Sequence, residues 1–502
     1  IRDFCLSRGL GDVYKRQIIM SSDMSLSNVP PKNLNELIVI TYDSNGGNTT
    51  HANTLINMLK KYHFWPNIKV KKFKNNDDIV LLHSNYKMSD ICEYKELYEQ
   101  CRSIVLDFSL SYNNNVVVTY ANSIPRRISY EEYISKIYSD TDKCYEAYDG
   151  TIITVYNYKN QWYFGTSSCP DANSSKFSHP TKSHGKMFDE VLSQLYSKSP
   201  EIVEMLSHIQ PDNVSETLRA MFVSNLNSEH AYEFVLIHSD NKHIIDYTDV
   251  LGENYKELVH INTKNRITLE EYDINMSSIQ ELYNMGVRYP AYFADINQAN
   301  LHINQNKSYG LIIKKKTEGE NFSRLYKISS AYINYREETD PCHPNIWMNI
   351  LSVYMKNKQN YTIKDYIATY NPNIEIPIDN NGRQIDPTYL VHTIISTIKD
   401  SLYSYYKSTT TYNPTYNRYK MNKEMDKQFA PIIQYHLAQL RNLQITTFNK
   451  KLITSSNIYY YLCQCNDIKN IKTLIQFFAS NPINEMQSRT SMCFAIMNTL
   501  IS

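Results

Sequence analysis

The apolar positions of this chain change period once. Between about residue 35 and residue 340 they come in short runs, LIVITY, IVLLHS, SIVLDF, NVVVTYA, TIITVYNY, WYFGTSS, YEFVLIH, HIIDY and LIIKKK, many of them alternating or closing on turn residues. Runs of this length and alternation predict β-strands. The gap KNQ between VYNY and WYFGT is hairpin-length and leaves no room for a crossover helix, so pairing should be mainly antiparallel. After residue 341 the apolar spacing lengthens to three and four in WMNILSVYMKN, LVHTIISTIKDSLYSYY, FAPIIQYHLAQLRNL and IKTLIQFFAS, which predicts helices. Proline and small polar residues punctuate DPCHPN between the two regimes. The expectation is an α+β domain over 35–340 and an all-helical domain over 341–502, with no internal repeat.

Composition narrows this picture only slightly. A chain of 502 residues with 42% hydrophobic residues can bury two or three domain cores. Lys plus Arg, at 52, nearly cancels Asp plus Glu, at 51, so any nucleic-acid contact must come from local clusters and not from a basic body. Twelve glycines against 43 tyrosines suit an AT-rich coding genome and carry no functional meaning. The nine cysteines form no CxxC pair, and neither Cys463 with Cys465 nor His343 in PCHPN has metal-ligand spacing. No metal site or disulfide framework is expected, and a reducing compartment follows. No apolar run approaches the ~18 residues that cross a bilayer, so the expectation is an intracellular, cytoplasmic protein without membrane contact.

The first 17 residues, IRDFCLSRGLGDVYKRQ, resemble translated sequencing-adapter read-through of the kind found at the ends of assembled environmental contigs, and are set aside as a non-native leader. Residues 18–34, with Met20 and Met24 as candidate starts, read as a polar, loosely ordered leader.

Covalent nucleotidyl transfer from ATP or GTP needs a lysine amine to attack the α-phosphate, a carboxylate behind it, and further cations to neutralise developing phosphate charge. Much of that list occurs in order: Arg102 in CRSIVLDF, Arg126 in SIPRRISY, Asp149 and Gly150 in EAYDGT, Glu233 in YEFVLIHSDNKHIIDY, Lys314 in SYGLIIKKK, and Lys327 in RLYKISSAYINYRE. In order and spacing, residues 65–340 resemble the phage-type ATP-dependent RNA ligases of the lysine-dependent nucleotidyltransferase superfamily. CRSIVLDF resembles the family's "ECRGIVFD", with Ser103 for glycine; SIPRRISY resembles "PFPKFFNY", with Arg126 in the lysine slot. YEFVLIHSDNKHIIDY and the following LVHINTKNRITLEE are similar to "FELVSPENRIVVPY" and "LIGVRNNLTGEE". RLYKISSAYINYRE resembles "YKIKSPEYLKLRE", with Ser329 where a second lysine often stands.

That resemblance implies a ligase-type nucleotidyltransferase domain, two mainly antiparallel sheets with flanking helices around a nucleotide cleft, followed by the helical domain. It implies Arg102, Arg126, Glu233, Tyr309, Lys314 and Lys327 as nucleotide-binding positions. The departures fall on the chemistry. EAYDGT resembles "EKLDGS", which puts Ala147 where the attacking lysine stands, and SYGLIIK resembles "EGLVIK", which puts Tyr309 in a glutamate's place. The later Glu318–Gly319 pair follows the LIIKKK run and reads as a turn. Lys143 shares the parity of Ala147 but lies four residues away, about 13 Å along a strand; Lys159 falls in a hairpin turn.

Three readings follow. The first is an RNA ligase-like protein that binds RNA ends or nucleotide but has lost self-adenylylation, with no intact catalytic residue. The second is an active ligase or capping-type enzyme that uses a displaced lysine and requires ATP and Mg²⁺. The third is an interaction protein that uses the fold as a body. Taken singly the same residues have plain structural readings: Asp-Gly is ordinary turn chemistry, and a strand lysine or glutamate is usually a surface charge. Residues 401–427 interleave six tyrosines with Lys407, Arg418, Lys420, Lys423 and Lys427, which suits single-stranded RNA. The same stretch also reads as a flexible polar loop.

Overall fold

The computed structural model describes residues 30–44, 50–65, 67–74, 76–84, 94–111, 116–121, 125–176, 181–241, 243–272, 279–306, 308–316, 323–341, 343, 345–356, 361–413, 418–447, 452–464, 468–481 and 488–501. The adapter-like residues 1–17, Glu318, Gly319 and Cys465 lie outside them. The chain divides into two compact units, Ile1–Asn334 and Tyr335–Ser502.

Among the described residues the first unit carries three mainly antiparallel sheets. The first pairs β1 (Ile68–Phe73), β2 (Asn76–Ser84), β3 (Ile104–Asp107) and β4 (Val117–Tyr120) in that order. The short β5 (Arg126–Arg127) and β6 (Lys143–Glu146) belong to the third sheet; β7 (Thr151–Tyr158), β8 (Gln161–Thr166), β9 (His230–His238), β10 (Lys256–Asn265) and β11 (Glu271–Tyr272) build the second, in the order β11-β10-β9-β7-β8. With β12 (Tyr292–Phe293), β13 (Gly310–Lys316) and β14 (Ser323–Ser329) the third sheet runs β12-β6-β13-β14-β5. Among the described residues its one parallel pairing is β14 with β5. The hairpin from β7 to β8 turns at Lys159 and Asn160, both in the left-handed region (φ 51° and 62°), which matches the twist of a two-residue hairpin.

Strand alternation sorts the cores. Val80, Leu82, Ile104 and Leu106 of the first sheet pack under the helices Leu34–Asp43 and Ala52–Lys61, while Ile79, Leu81 and Val105 on its other face meet Tyr156 and Ala231 of the second sheet. Ile153, Val155, Phe234 and Leu258 turn to the helices His184–Tyr196 and Pro211–Val223. Between the second and third sheets lie Val235, Ile237 and Val259, with Tyr148 and Tyr309 packed against them.

Two apolar runs read as strands are not strands. LIVITY lies inside the helix Leu34–Asp43, where Asn33 caps the N-terminus by accepting from the Glu36 amide at 2.9 Å and Leu34, Leu37, Ile38 and Tyr42 bury one face. A β-branched run gives no period of its own, so the helical register follows from Leu34 before it and Leu37 at its start. HIIDY forms a bend whose amides are held by a side chain, as described below.

The second unit has one core filled from the helices Ile346–Lys356, Pro387–Thr409, Pro431–Thr446, Ser455–Gln464, Ile468–Ser480 and Ser488–Ile501. It is not wholly helical. The segment expected to be a flexible loop contains a hairpin of β15 (Thr410–Asn413) and β16 (Arg418–Met421), consistent with the strand preference of its threonines and tyrosines.

Candidate functional site

The third sheet brings Arg126, Ala147, Tyr309, Lys314 and Lys327 onto or beside neighbouring strands, while Arg102 and Glu233 belong to the first and second sheets. On β6, β13 and β14 one face carries Cys144, Leu311, Ile313, Tyr326 and Ile328, packed with Tyr133 and the helix Ile296–Gln305. Alternation therefore sends Lys143, Tyr145, Ala147, Lys314 and Lys327 to the opposite face. That face looks toward the second sheet, because the Lys314 Nζ donates to the Ile261 carbonyl at 3.1 Å and the Asn262 Oδ1 at 3.3 Å, both on β10.

Ala147 continues β6 beyond its last paired residue: its amide donates to the Gly310 carbonyl at 2.8 Å, and its side chain is 5% exposed. The position expected for a nucleophile thus holds a buried methyl. Tyr309, immediately before β13, places its ring centroid 3.3 Å from the Lys327 Nζ, a cation–π contact. The ammonium expected to meet phosphate instead lies on an aromatic face. Of the alternative lysines, Lys143 is exposed and pairs across the ladder with Lys314, while Lys159 donates to the Asp107 carboxylate at 2.7 Å.

Asp149 and Gly150 have structural work of their own. One Asp149 carboxylate oxygen accepts from the amides of Ile244 and Ile245, which fixes the HIIDY bend. The Tyr247 phenol accepts from the Asp149 amide at 2.8 Å and donates to its carbonyl at 3.2 Å. Gly150, immediately before β7, runs so close to β9 that a Cβ would sit 2.5 Å from the Leu236 carbonyl oxygen, leaving room for glycine alone.

Glu233 is on the face of β9 that looks away from the flanking helices, but it is 2% exposed and ion-paired with Lys264 at 2.8 Å. Lys264, also 2% exposed in its side chain, donates to the Tyr120 carbonyl at 2.8 Å and lies 3.8 Å from the Tyr120 ring centroid. The pair ties the first sheet to the second. Lys264 was not among the residues singled out in the sequence, and a lysine within the polar run NTKNR gives no sign there of being buried.

Arg102 precedes β3 and is half-buried, without an ion-pair partner among the described residues; burial lowers its guanidinium to about 10. Ser103, where the resemblance has glycine, adopts the left-handed conformation that favours glycine (φ 52°), and its hydroxyl donates to the Ser167 carbonyl. Arg126 and Arg127 are exposed at the β5 edge, with Arg127 donating to the Ser329 hydroxyl at 3.0 Å.

Among the described residues of these segments the carboxylates are engaged otherwise than as a metal donor set. Glu146 alternates to the other face of β6 and accepts from Ser308 (3.0 Å) and Tyr148 (3.2 Å), Asp149 holds backbone amides, and Glu233 holds Lys264. Elsewhere Glu190, His238 and Asp240 converge. Lys182 and Lys256 lie 2.8 and 3.2 Å from Glu190, and although burial opposes its ionisation these cations hold its carboxyl down at about 2. The cluster is an ion-pair network.

In the second unit Lys407 is exposed, with its Nζ 4.8 Å from the Tyr403 ring centroid, and Lys427 is exposed. The side chains of Arg418, Lys420 and Lys423 lie outside the described residues. His343 accepts at Nδ1 from the Asn345 amide at 3.0 Å, a turn contact. Among the described residues no helix is long and apolar enough to cross a membrane.

No protein-family model and no curated protein matches the chain. Among solved structures it is similar to a putative ATP-dependent DNA ligase from Aquifex aeolicus, at 9% identity and a TM-score of 0.34, over 89% of this chain and 98% of that one. An archaeal ATP-dependent RNA ligase matches at 11% identity and a TM-score of 0.34, over 76% and 86% of the two chains. A mutant of the Naegleria gruberi RNA ligase with AMP and Mn matches at 11% identity and 0.28, over 43% and 57%.

Proposed function

We propose that the first unit is a nucleotidyltransferase-type body that binds RNA ends or nucleotide and does not form a covalent lysyl-nucleotide. The observation that carries this reading is the buried methyl of Ala147 on the same sheet face as Lys314 and Lys327. An alanine has no amine with which to form a phosphoramide, and among the described residues the lysines of this region are placed otherwise: Lys314 is bonded to β10, Lys327 lies on Tyr309, Lys159 is held by Asp107, and Lys143 is four residues along β6. Cations remain for binding. Arg102 is half-buried without a carboxylate partner among the described residues, and Arg126 is exposed beside β14; each is a guanidinium suited to a phosphate oxygen.

Binding without transfer makes the chain an RNA-end or nucleotide adaptor of the RNA ligase type. ATP, GTP or a 5′-phosphorylated RNA are the ligands to try, with Mg²⁺ accompanying the nucleotide and not held by protein carboxylates. The test is a gel-shift titration of 5′-phosphorylated and 5′-hydroxyl RNA at low salt, with ATP as competitor. Saturable binding weakened by Arg102→Gln supports the proposal. Absence of binding to either RNA and to ATP leaves only a scaffold role for the fold.

A further inference from the structure

β5 contributes a second arginine, Arg127, and the pairing of β5 with β14 decides which way it points. The two strands run parallel, with Arg126 opposite Tyr326 and Arg127 opposite Lys327. Residues paired across neighbouring strands share a face of the sheet, and successive residues alternate between faces. Tyr326 and Ile328 pack into the core with Tyr133, and Ile128 joins them there. Arg126 therefore leaves the strand on the core side, at its exposed edge, whereas Arg127 leaves it on the side that carries Ala147, Lys314 and Lys327.

A side-chain contact agrees with that parity. The Arg127 guanidinium donates to the Ser329 hydroxyl from Nη2 at 3.0 Å and from Nε at 3.3 Å. Ser329 is the next residue after Lys327 on this face of β14. Two donors on one acceptor fix the plane of the guanidinium fork, whose rigid array of N–H groups matches phosphate oxygens. A hydroxyl could hold any surface arginine; what marks this one is the cation beside it. Like charges directly opposite on paired strands repel, and an anion lying over Arg127 and Lys327 relieves that repulsion. Ser329 also stands where the sequence resemblance has a second lysine, so the charge absent from β14 arrives at the same point from β5.

We infer that Arg127 and Lys327 together bind a terminal phosphate, with Arg127 supplying the charge that Ser329 lacks and setting the preference for a phosphorylated over an unphosphorylated end. A terminal phosphate carries about −1.5 to −2 charge at neutral pH, where a backbone diester carries a single charge, so a paired cation site discriminates between them. This assignment rests on the binding reading of the first unit proposed above and adds to it the residue that selects the end.

The experiment is fluorescence anisotropy of the full chain with a 3′-labelled RNA that ends in a 5′-phosphate, and with the same RNA ending in a 5′-hydroxyl, at low salt. The native protein should prefer the phosphorylated end by about ten-fold. Arg127→Gln should remove that preference, weakening the phosphorylated RNA about ten-fold and the hydroxyl RNA less than about two-fold. Arg126→Gln should weaken both RNAs alike and keep the preference. Adding Ser329→Lys to Arg127→Gln should restore the preference, a rescue that a merely structural Arg127 would not show, with circular dichroism confirming that each variant is folded. ATP as competitor separates the two sources of a terminal phosphate: displacement of RNA by ATP that Arg127→Gln weakens shows a nucleotide phosphate entering the site, and indifference to ATP confines the site to the RNA end. A preference kept in Arg127→Gln, or not restored by Ser329→Lys, overturns the assignment and leaves the binding reading standing, as does equal binding of the two ends by the native protein. No binding of RNA or ATP at all overturns the reading on which the assignment rests.

Discussion

The Lys327 ammonium rests 3.3 Å from the centre of the Tyr309 ring, and both side chains belong to neighbouring strands of one sheet, Tyr309 leading into β13 and Lys327 within β14. A carboxylate at Tyr309 would form an ion pair there; an aromatic face holds the same cation by its quadrupole, for about 0.5–2 kcal/mol, and binds no metal. In a phosphate-binding cleft this contact competes with the ligand for Lys327. Tyr309→Leu keeps an apolar side chain but removes the ring, so RNA affinity at low salt should rise about five-fold, the equivalent of ~1 kcal/mol, with steeper salt dependence. Fluorescence anisotropy over a salt series measures both. Unchanged affinity and slope would show that Lys327 does not meet phosphate.

Glu233 and Lys264 make a buried pair that the rest of the fold has closed over. Lys264→Met leaves the Glu233 carboxylate without its cation in the interior and should cost about 3–5 kcal/mol of stability. The double change Glu233→Gln with Lys264→Met should recover most of that loss, since two neutral groups carry a far smaller desolvation penalty. A urea double-mutant cycle reads the coupling, and additive costs would contradict a direct pair.

The Asp-Gly of EAYDGT is accounted for by folding. Asp149→Ala removes the acceptor for the Ile244 and Ile245 amides and should destabilise the first unit by about 1.5–3 kcal/mol. Gly150→Ala, which forces a Cβ against the Leu236 carbonyl, should do at least as much damage. Thermal unfolding measures both. A stable Asp149→Ala protein with impaired nucleotide binding would move Asp149 from the fold to the site.

How far the sequence displays this structure depends on which physical signal each segment carries. The runs IVLLHS, TIITVYNY, WYFGTSS and YEFVLIH lie in β2, β7, β8 and β9, and the hairpin-length gap pairs β7 with β8. LIVITY misleads, since consecutive β-branched residues fit a buried strand as well as a helix and only the cap at Asn33 separates them. Ala147, Lys314 and Lys327 share a sheet face that parity foretells once the strands are paired. The aromatic partner of Lys327 and the lysine partner of Glu233 were not visible, because each contact is diagonal across a strand pair whose register the sequence alone does not give.

Acid should unfold the first unit through its buried histidines. His260 is fully buried, with Nε2 toward the Asn262 carbonyl at 2.9 Å and Nδ1 accepting from the Tyr283 phenol at 2.7 Å, and burial lowers it to about 3. The folded form therefore binds its proton far less readily than the unfolded chain, whose imidazole titrates near 6.5. Stability is full above that value and falls as pH drops from about 6.5 toward about 3, by roughly 1.4 kcal/mol per pH unit for this one group. Urea stability at pH 5 should be about 2 kcal/mol below that at pH 7 from His260 alone. Equal stability at the two pH values would contradict the buried, neutral imidazole.

The most direct test of the central claim is incubation of the protein with α-³²P-labelled ATP, and separately GTP, in Mg²⁺, followed by a denaturing gel that compares the native sequence with Ala147→Lys. No covalent label on the native chain, together with retained nucleotide or RNA binding, is the predicted result; label appearing on Ala147→Lys would further mark a cleft that lacks only its amine. Covalent label on the native chain would contradict the account and point to another lysine as nucleophile.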